Sequence, residues 1–326
     1  MSQRTRTALI TGASGQDGIF LAELLAQEGY TVWAMVREGT SRLRLLQERV
    51  PTAKIVYGDI RDRDAVETAL LTAAPTEIYN LAAFSSVGRS WANASQVMEI
   101  NALSVVTLLD AIRRLREATG HDVRFYQASS SEMFGTAPAA PQTEDMAFHP
   151  RSPYGVAKSA AHFLTVNYRE SYGLFGCSGI LYNHESPLRE KHFVTRKITA
   201  GVAAIAQNRA DTLHLGAIDV SRDWGWAPDY VRAMWLMLQH DVPGDYIVAT
   251  GRSRTLRDFL SAAFACVGVD DWAPYVVHDE DLIRPAEVIG LVGDPSKARD
   301  VLGWEPSVAF EEIVSRMVQH DLSVGS

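Results

Sequence analysis

The sequence predicts an α/β protein, a doubly wound parallel sheet with a second, smaller α/β lobe. Three observations predict it. Short apolar runs alternate with stretches of helical periodicity from Ala8 to Leu181. A glycine-rich turn directly follows the first apolar run, and no repeat or low-complexity tract interrupts the 326 residues. Such alternation lays parallel strands side by side and packs helices on both faces.

The first strand is Ala8–Thr11, closed by Gly12. A helix over Phe20–Gln27 follows, with Leu21, Leu24 and Leu25 at helical spacing and Gly29 as its stop. Thr31–Val36 is the second strand; Ile55–Tyr57, Ile78–Leu81 and Phe125–Ala128 are further strands, with helical patterns around Ala65–Thr72 and Val105–Glu117 between them. A long helix opens at Ser152-Pro153 and continues to about Tyr172. Beyond Lys158 the pattern loosens: Phe175–Leu181 and Tyr246–Ala249 read as strands among loops rich in Trp, Pro and Arg. A first domain, 1–174, therefore also claims later strands. A smaller lobe, 175–326 and mostly the residues after Asn183, interleaves with it.

A composition of 47% hydrophobic and 21% charged residues supports a large core. The formal charge of -8 argues against a nucleic-acid groove, which needs a basic field. It leaves room for an anionic ligand held by local arginines and helix N-termini. Cys177 and Cys266 give neither a disulfide framework nor metal-ligand spacing, so no metal is expected and both thiols are expected buried in a reducing compartment. Met1–Thr7 is short and polar, without the apolar core of a signal peptide. No uncharged apolar run approaches the roughly 20 residues that span a bilayer, so a cytoplasmic protein without a membrane partner is expected.

Gly12-Ala13-Ser14-Gly15-Gln16-Asp17-Gly18 stands between the first strand and the first helix. Glycines at this spacing let the backbone turn sharply and approach a pyrophosphate, with the helix N-terminus facing the phosphates. In that position the turn reads as a dinucleotide cradle. An NAD site usually carries Asp or Glu at the end of the second strand; here Val36-Arg37 stands instead. A guanidinium suits a 2′-phosphate, which favours NADP, although Glu38 adjoins the proposed anion and a plain surface arginine is the alternative. Asp59, after the third strand, is placed to meet the adenine. Ala82 and Ala83, after Leu81, leave room for the nicotinamide half.

Tyr154 and Lys158 stand four apart in the helix opened by Ser152, on one face. An ammonium that close is expected to favour the phenolate and lower the tyrosine pKa, so that Tyr154 exchanges the proton of an alcohol while hydride leaves its carbon. The strand Phe125–Ala128 runs into Ser129-Ser130-Ser131-Glu132, beyond the carboxyl end of a parallel strand, where ligands of such sheets sit. Ser130 and Glu132 are thus candidates to serve different atoms of one substrate; serines that cap the next turn beside a solvated glutamate are the bland alternative.

The glycine loop and the Tyr-x-x-x-Lys pair resemble the extended short-chain dehydrogenase/reductases of the Rossmann superfamily. Longer runs narrow the resemblance: Tyr79-Asn80-Leu81-Ala82-Ala83, Pro150-Arg151-Ser152-Pro153-Tyr154-Gly155, Asn183-His184-Glu185-Ser186-Pro187, Phe193-Val194-Thr195-Arg196-Lys197, Arg222-Asp223-Trp224-Gly225, Arg284-Pro285-Ala286-Glu287 and Gly303-Trp304-Glu305-Pro306 look like the GDP-mannose 4,6-dehydratase family. The resemblance implies an internal hydride transfer from sugar C4 to C6 with loss of water, and an NADP that is reused and stays bound. It gives Tyr154 the O4 proton, Glu132 the C5 proton, and Glu132 or the Ser130 hydroxyl the acid that helps water leave. It adds Ile60, Leu81, Leu181 and His184 to the cofactor's neighbours, places Ser85 against the sugar, and gives the GDP portion to Asn183, Val194, Lys197, Arg222, Arg284 and Glu287. Salt bridges are the alternative for Lys197 and Arg284, a structural pairing with Asp223 for Arg222, and a satisfied polar role for His184.

The chain departs from the family where Ser130 replaces Thr, Ser86 and Trp226 replace His, and Ile289 replaces Asp. It departs again after Arg37, in place of an Arg-Arg-Ser-Ser run that reaches a neighbouring subunit's cofactor in tetramers. These departures leave open the sugar and the choice between a homodimer and a tetramer. The helices around Val105–Glu117 and Ala157–Tyr172 are apolar on more than one face, as a four-helix bundle between two subunits requires. The rival readings are a reductase or epimerase of a related GDP-4-keto-6-deoxy sugar, a dehydratase of another GDP sugar, and a non-catalytic NADP-binding regulator, which would typically lack the Tyr or the Lys.

Overall fold

The computed structural model describes residues 6–136, 139–282 and 290–324. In chain order the elements are β1 (Thr7–Thr11), α1 (Gln16–Gln27), β2 (Thr31–Val36), α2 (Leu43–Arg49), β3 (Lys54–Tyr57), α3 (Arg63–Ala73), β4 (Glu77–Asn80), α4 (Ala94–Met98), α5 (Ser104–Thr119), β5 (Arg124–Ser130), α6 (Pro153–Tyr172), β6 (Phe175–Leu181) and β7 (Asn183–Glu185). After these come α7 (Val194–Ala206), β8 (Leu213–Leu215), β9 (Ser221–Trp226), α8 (Ala227–Gln239), β10 (Asp245–Val248), β11 (Ser253–Thr255), α9 (Leu256–Ala265), β12 (Val276–His278), α10 (Ser296–Leu302) and α11 (Phe310–Val324).

Seven strands form one sheet in the order β10-β6-β5-β4-β1-β2-β3, and all pair in parallel. The order reverses between β1 and β4, which opens a crevice beyond their carboxyl ends. This is the Rossmann arrangement that the strand and helix alternation predicts. Side chains of each strand go to opposite faces. Ala8 and Ile10 of β1, with Tyr79 and Tyr126, join a core with α1 and α8, while Leu9, Ile78 and Phe125 join the opposite core with α3, α5 and α6. Both faces are covered, which is why consecutive residues in the middle of these strands, such as Ala8–Ile10, Ile78–Tyr79 and Phe125–Tyr126, are apolar.

The remaining strands form two small sheets, β11-β9-β7 and the parallel pair β12-β8. They lie with α7, α9 and α11 around a separate core of Ile198, Val202, Trp224, Phe259 and Met317. A buried ion pair ties the last helix to this lobe. Arg196 Nη2 is 2.6 Å from Asp321 Oδ1, Thr199 Oγ1 donates to Asp321 Oδ2 at 2.7 Å, and Arg196 also donates to the Pro187 carbonyl.

The helical run Trp91–Thr119 is long and apolar enough, by length and composition, to cross a membrane; half of its most apolar window is buried inside the fold. A π-helical turn, Glu99–Leu103, lies within it. Leu103 at its end, together with Val156, Phe163 and Tyr172 of α6, leaves large apolar side chains exposed.

Candidate active site

The crevice begins at the glycine turn. Gly12 has φ +67°, and a Cβ on it would lie 2.7 Å from the Ala82 backbone nitrogen. Only glycine allows both that backbone conformation and that approach. Gly15 N–H donates to the Gly12 carbonyl at 3.0 Å and Gly15 then caps α1. The helix N-terminus faces a cavity of 690 Å³ whose wall includes Gly12, Ser14, Gly15, Gln16, Asp17, Gly18, Arg37, Asp59, Ile60, Leu81, Ala82 and Ala83. A pyrophosphate fits there, where unpaired N–H groups and the helix dipole favour an anion.

Asp59 is more occupied than its position in the sequence suggests. Its carboxylate accepts Arg61 Nε at 3.0 Å and Arg61 Nη2 at 2.8 Å, which holds the acid below its usual range. Arg37 is exposed at the cavity edge. Beside it the segment Gly39–Arg42 folds back: Ser14 and Thr40 hydroxyls are 3.1 Å apart, and Arg42 donates to the Leu188 carbonyl at 2.9 Å.

A buried polar chain crosses the carboxyl ends of the central strands. Thr11 Oγ1 donates to Asn80 Oδ1 at 2.6 Å, and Asn80 Nδ2 donates to Gln127 Oε1 at 2.8 Å. Gln127 Nε2 donates to the Ala128 carbonyl at 3.0 Å, and Lys158 Nζ donates to that same oxygen at 2.8 Å. Buried polar groups are costly unless satisfied, so the chain fixes the strand ends and delivers the ammonium to one place.

A second cavity, of 540 Å³, adjoins the first, and Asp17, Leu81, Ala83, Ser85, Arg189 and Phe193 border both. Ser130, Glu132, Tyr154, Lys158, Leu181, Asn183, His184, Val194, Lys197 and Arg222 also line the second. Ser130 Oγ accepts Glu132 N–H at 3.3 Å and also hydrogen-bonds to the Tyr154 phenol. The capping role weighed for the serines is therefore real and coexists with a contact to the Tyr154 phenol. Helix α6 can approach this turn because residue 155 is glycine: a Cβ there would lie 2.7 Å from the Glu132 carbonyl oxygen.

The electrostatics correct one expectation. Lys158 does not depress the Tyr154 pKa. Burial raises the phenol to about 12, opposed by the Ser130 hydrogen bond and reinforced by the Glu132 charge. The ammonium, turned to the Ala128 carbonyl, is itself lowered by burial to about 8, with Asp17 opposing. Spacing put the two side chains on one face, but burial dominates both acidities.

Asp17 and His184 form a buried pair. His184 Nε2 is 2.9 Å from Asp17 Oδ2 and Nδ1 is 2.7 Å from the Tyr182 carbonyl. Both ring nitrogens face oxygen atoms, which favours the protonated ring. Burial would lower the His184 pKa, yet Asp17 raises it; burial would raise Asp17, yet His184 holds it low. His184 is thus satisfied within the protein, and its contact with Asp17 ties the α1 N-terminus to β7.

Arg284, Glu287 and Ile289 lie outside the described residues. Asp223 is engaged by the turn at Thr250 and Gly251, with Thr250 N–H at 2.8 Å and Gly251 N–H at 2.9 Å, while Arg222 borders the cavity. Trp226 packs on the core of the second lobe beneath Arg316. Four residues escaped the sequence reading. Arg189 and Phe193 border both cavities, and Arg42 latches the loop. Asn101, in the π turn, accepts Phe84 N–H at 2.7 Å and donates to its carbonyl at 3.1 Å, holding the loop after β4.

The chain matches the family model described as GDP-mannose 4,6 dehydratase over residues 9–317. It is 46% identical to GDP-mannose 4,6 dehydratase 1 of Arabidopsis thaliana, covering 98% of this chain and 90% of that protein. It is 43% identical to the GDP-mannose 4,6-dehydratase of Yersinia enterocolitica, covering 97% and 94%. Among solved structures it resembles UDP-glucose 4-epimerase of Thermus thermophilus in complex with NAD, at 27% identity, TM-score 0.83 and coverage of 96% and 98%. It also resembles RMD of Pseudomonas aeruginosa complexed with NADPH, at 25% identity, TM-score 0.80 and coverage of 98% and 99%. A full-length match at this identity, on a fold whose glycine cradle lines one cavity beside a second that holds a tyrosine, a lysine and a glutamate, makes this chain a member of the GDP-mannose 4,6-dehydratase family.

Proposed function

We propose that this chain converts GDP-mannose to GDP-4-keto-6-deoxymannose with loss of water, using and restoring NADP within each turnover. The observation that carries the reading is the gathering of Ser130, Glu132, Tyr154 and Lys158 on one cavity continuous with the glycine cradle. A ketone reductase has no use for a carboxylate beside its tyrosine; an elimination needs one.

Gly12, Ser14, Gly15, Gln16, Asp17, Gly18, Asp59, Ile60, Leu81, Ala82, Ala83, Leu181 and His184 would hold the cofactor. Arg37, with Thr40 and Arg42 in the same wall, supports NADP over NAD, because cations and hydroxyls suit a 2′-phosphate. NADP, when bound, supplies a reversible two-electron acceptor and a ring charge that favours the phenolate.

Tyr154 takes the proton from the sugar O4 as C4 is oxidised, with Ser130 hydrogen-bonded to its oxygen and Lys158 buried beside its ring. The C4 ketone then acidifies C5, and Glu132 removes that proton. Glu132 or the Ser130 hydroxyl returns a proton to the departing O6, so water leaves and a C5–C6 double bond forms; the hydride taken from C4 would then return to C6 as a proton reaches C5, which gives the 4-keto-6-deoxy sugar and restores NADP. Ser85 faces the sugar. Asn183, Val194, Lys197 and Arg222, with Arg284 and Glu287, hold the GDP, the arginines suiting its diphosphate. On this reading residues 1–174, with later strands, serve the cofactor and most of 175–326 serves the nucleotide sugar. The protein acts as a homodimer.

The test is incubation with GDP-mannose and substoichiometric NADP. Many turnovers of keto product without net change in NADPH absorbance are expected. No keto product, or product limited to one equivalent of the NADP supplied, would overturn the dehydratase reading.

A further inference from the structure

Within Asn183–Pro187 the reading above uses Asn183 and His184 and leaves Glu185 without a role. The Glu185 side chain is 1% exposed. Its Oε2 accepts the Thr195 hydroxyl at 2.7 Å and lies 3.3 Å from Arg189 Nε. Thr195 is buried and is the second residue of α7, whose first turn brings Val194 and Lys197 to the second cavity. Arg189 borders both cavities, with its guanidinium carbon 3.6 Å from the centre of the Phe193 ring, and Phe193 also borders both. One buried carboxylate oxygen therefore joins the cation between the two cavities to the start of the helix that faces only one of them.

We propose that Glu185 is a positioning residue that couples the two ligands: through Oε2 it fixes Arg189 at the junction of the cavities and Thr195 at the start of α7. Filling either cavity then orders the other. The inference rests on the reading that each cavity takes a diphosphate. An arginine on a long flexible stem must be ordered before it serves an anion. Already held between a carboxylate and an aromatic face, Arg189 must be drawn from that position by an anion in either cavity, and the second ligand then binds to a site already set. Such coupling is reciprocal: each ligand tightens the other by the same factor.

The test is calorimetric binding of GDP to the full chain, with and without saturating NADP, and of NADP with and without GDP. Wild type is expected to show GDP tightened about fivefold or more by NADP, and NADP tightened equally by GDP. Glu185→Gln keeps an acceptor for Thr195 but removes the charge facing Arg189, and is expected to bring the ratio close to one. Thr195→Val, which cuts the same oxygen from α7 at constant volume, replaces it if Glu185→Gln does not fold. A wild-type ratio of one overturns the proposal. So does a variant whose two GDP affinities fall together with the ratio unchanged, since that marks a merely structural residue. The readout is binding, so a chain acting on another GDP sugar would fail the GDP-mannose assay and still show the coupling.

Discussion

Replacing Lys158 with Met should stabilise the protein while removing its activity. Lys158 is 4% exposed, and burial lowers its pKa from 10.5 to about 8. Each tenfold change in acidity is worth about 1.4 kcal/mol, so keeping this ammonium charged inside the fold costs about 3 kcal/mol. Methionine fills nearly the same volume with no charge. It forfeits the hydrogen bond to the Ala128 carbonyl, worth about 1–2 kcal/mol, but that oxygen keeps Gln127 Nε2 at 3.0 Å. The net gain expected at pH 7 is about 1–2 kcal/mol.

The pH dependence carries a sign. The folded pKa lies below the unfolded one, so between about pH 8 and 10 the unfolded chain binds more protons and wild-type stability rises through this group. The advantage of Lys158→Met is therefore fullest below pH 8 and shrinks towards pH 10. Cys177, pushed by burial to about 11, slopes the other way in both proteins and cancels in their difference. Urea unfolding of both cofactor-stripped proteins, followed by fluorescence and circular dichroism at pH 7 and pH 10, measures it. A variant less stable than wild type at pH 7, or an advantage unchanged at pH 10, would refute the reasoning.

Other predictions follow from single contacts. Gly12→Ala places a methyl 2.7 Å from the Ala82 backbone at φ +67° and should weaken NADP binding by on the order of tenfold or more; unchanged calorimetric affinity would contradict the cradle. Asp321→Ala leaves Arg196 buried without its carboxylate and should cost about 3–5 kcal/mol in urea unfolding, whereas a loss under about 1 kcal/mol would show the pair to be solvated. Light scattering should find a dimer in wild type and a monomer in Phe163→Glu, because Phe163 is 58% exposed on the apolar face of α6. A wild-type monomer at micromolar concentration would remove the bundle.

The sheet was legible because its strands are buried on both faces and its helices are amphipathic. Helix α1 begins at Gln16, four residues before the apolar periodicity suggests, because its first turn carries Gln16 and Asp17, which serve the site rather than the core. The second lobe was hard to read: β7, β8, β11 and β12 are three residues each, too short to show a period of two. The π turn and its Asn101 leave no pattern in sequence. Spacing placed Tyr154 and Lys158 on one face but could not say that the ammonium turns to a carbonyl, so the direction of the tyrosine shift was misjudged. Glu185 lay inside a run already singled out and Arg189 two residues beyond it, yet their meeting depends on the turn between β7 and α7.

The most direct measurement follows the hydrogen on C4. GDP-mannose carrying deuterium at C4 is converted with catalytic NADP in ordinary water, and the product is examined by NMR. The account predicts the label in the C6 methyl group and a solvent proton at C5. Deuterium retained at C4, or none at C6, would contradict it.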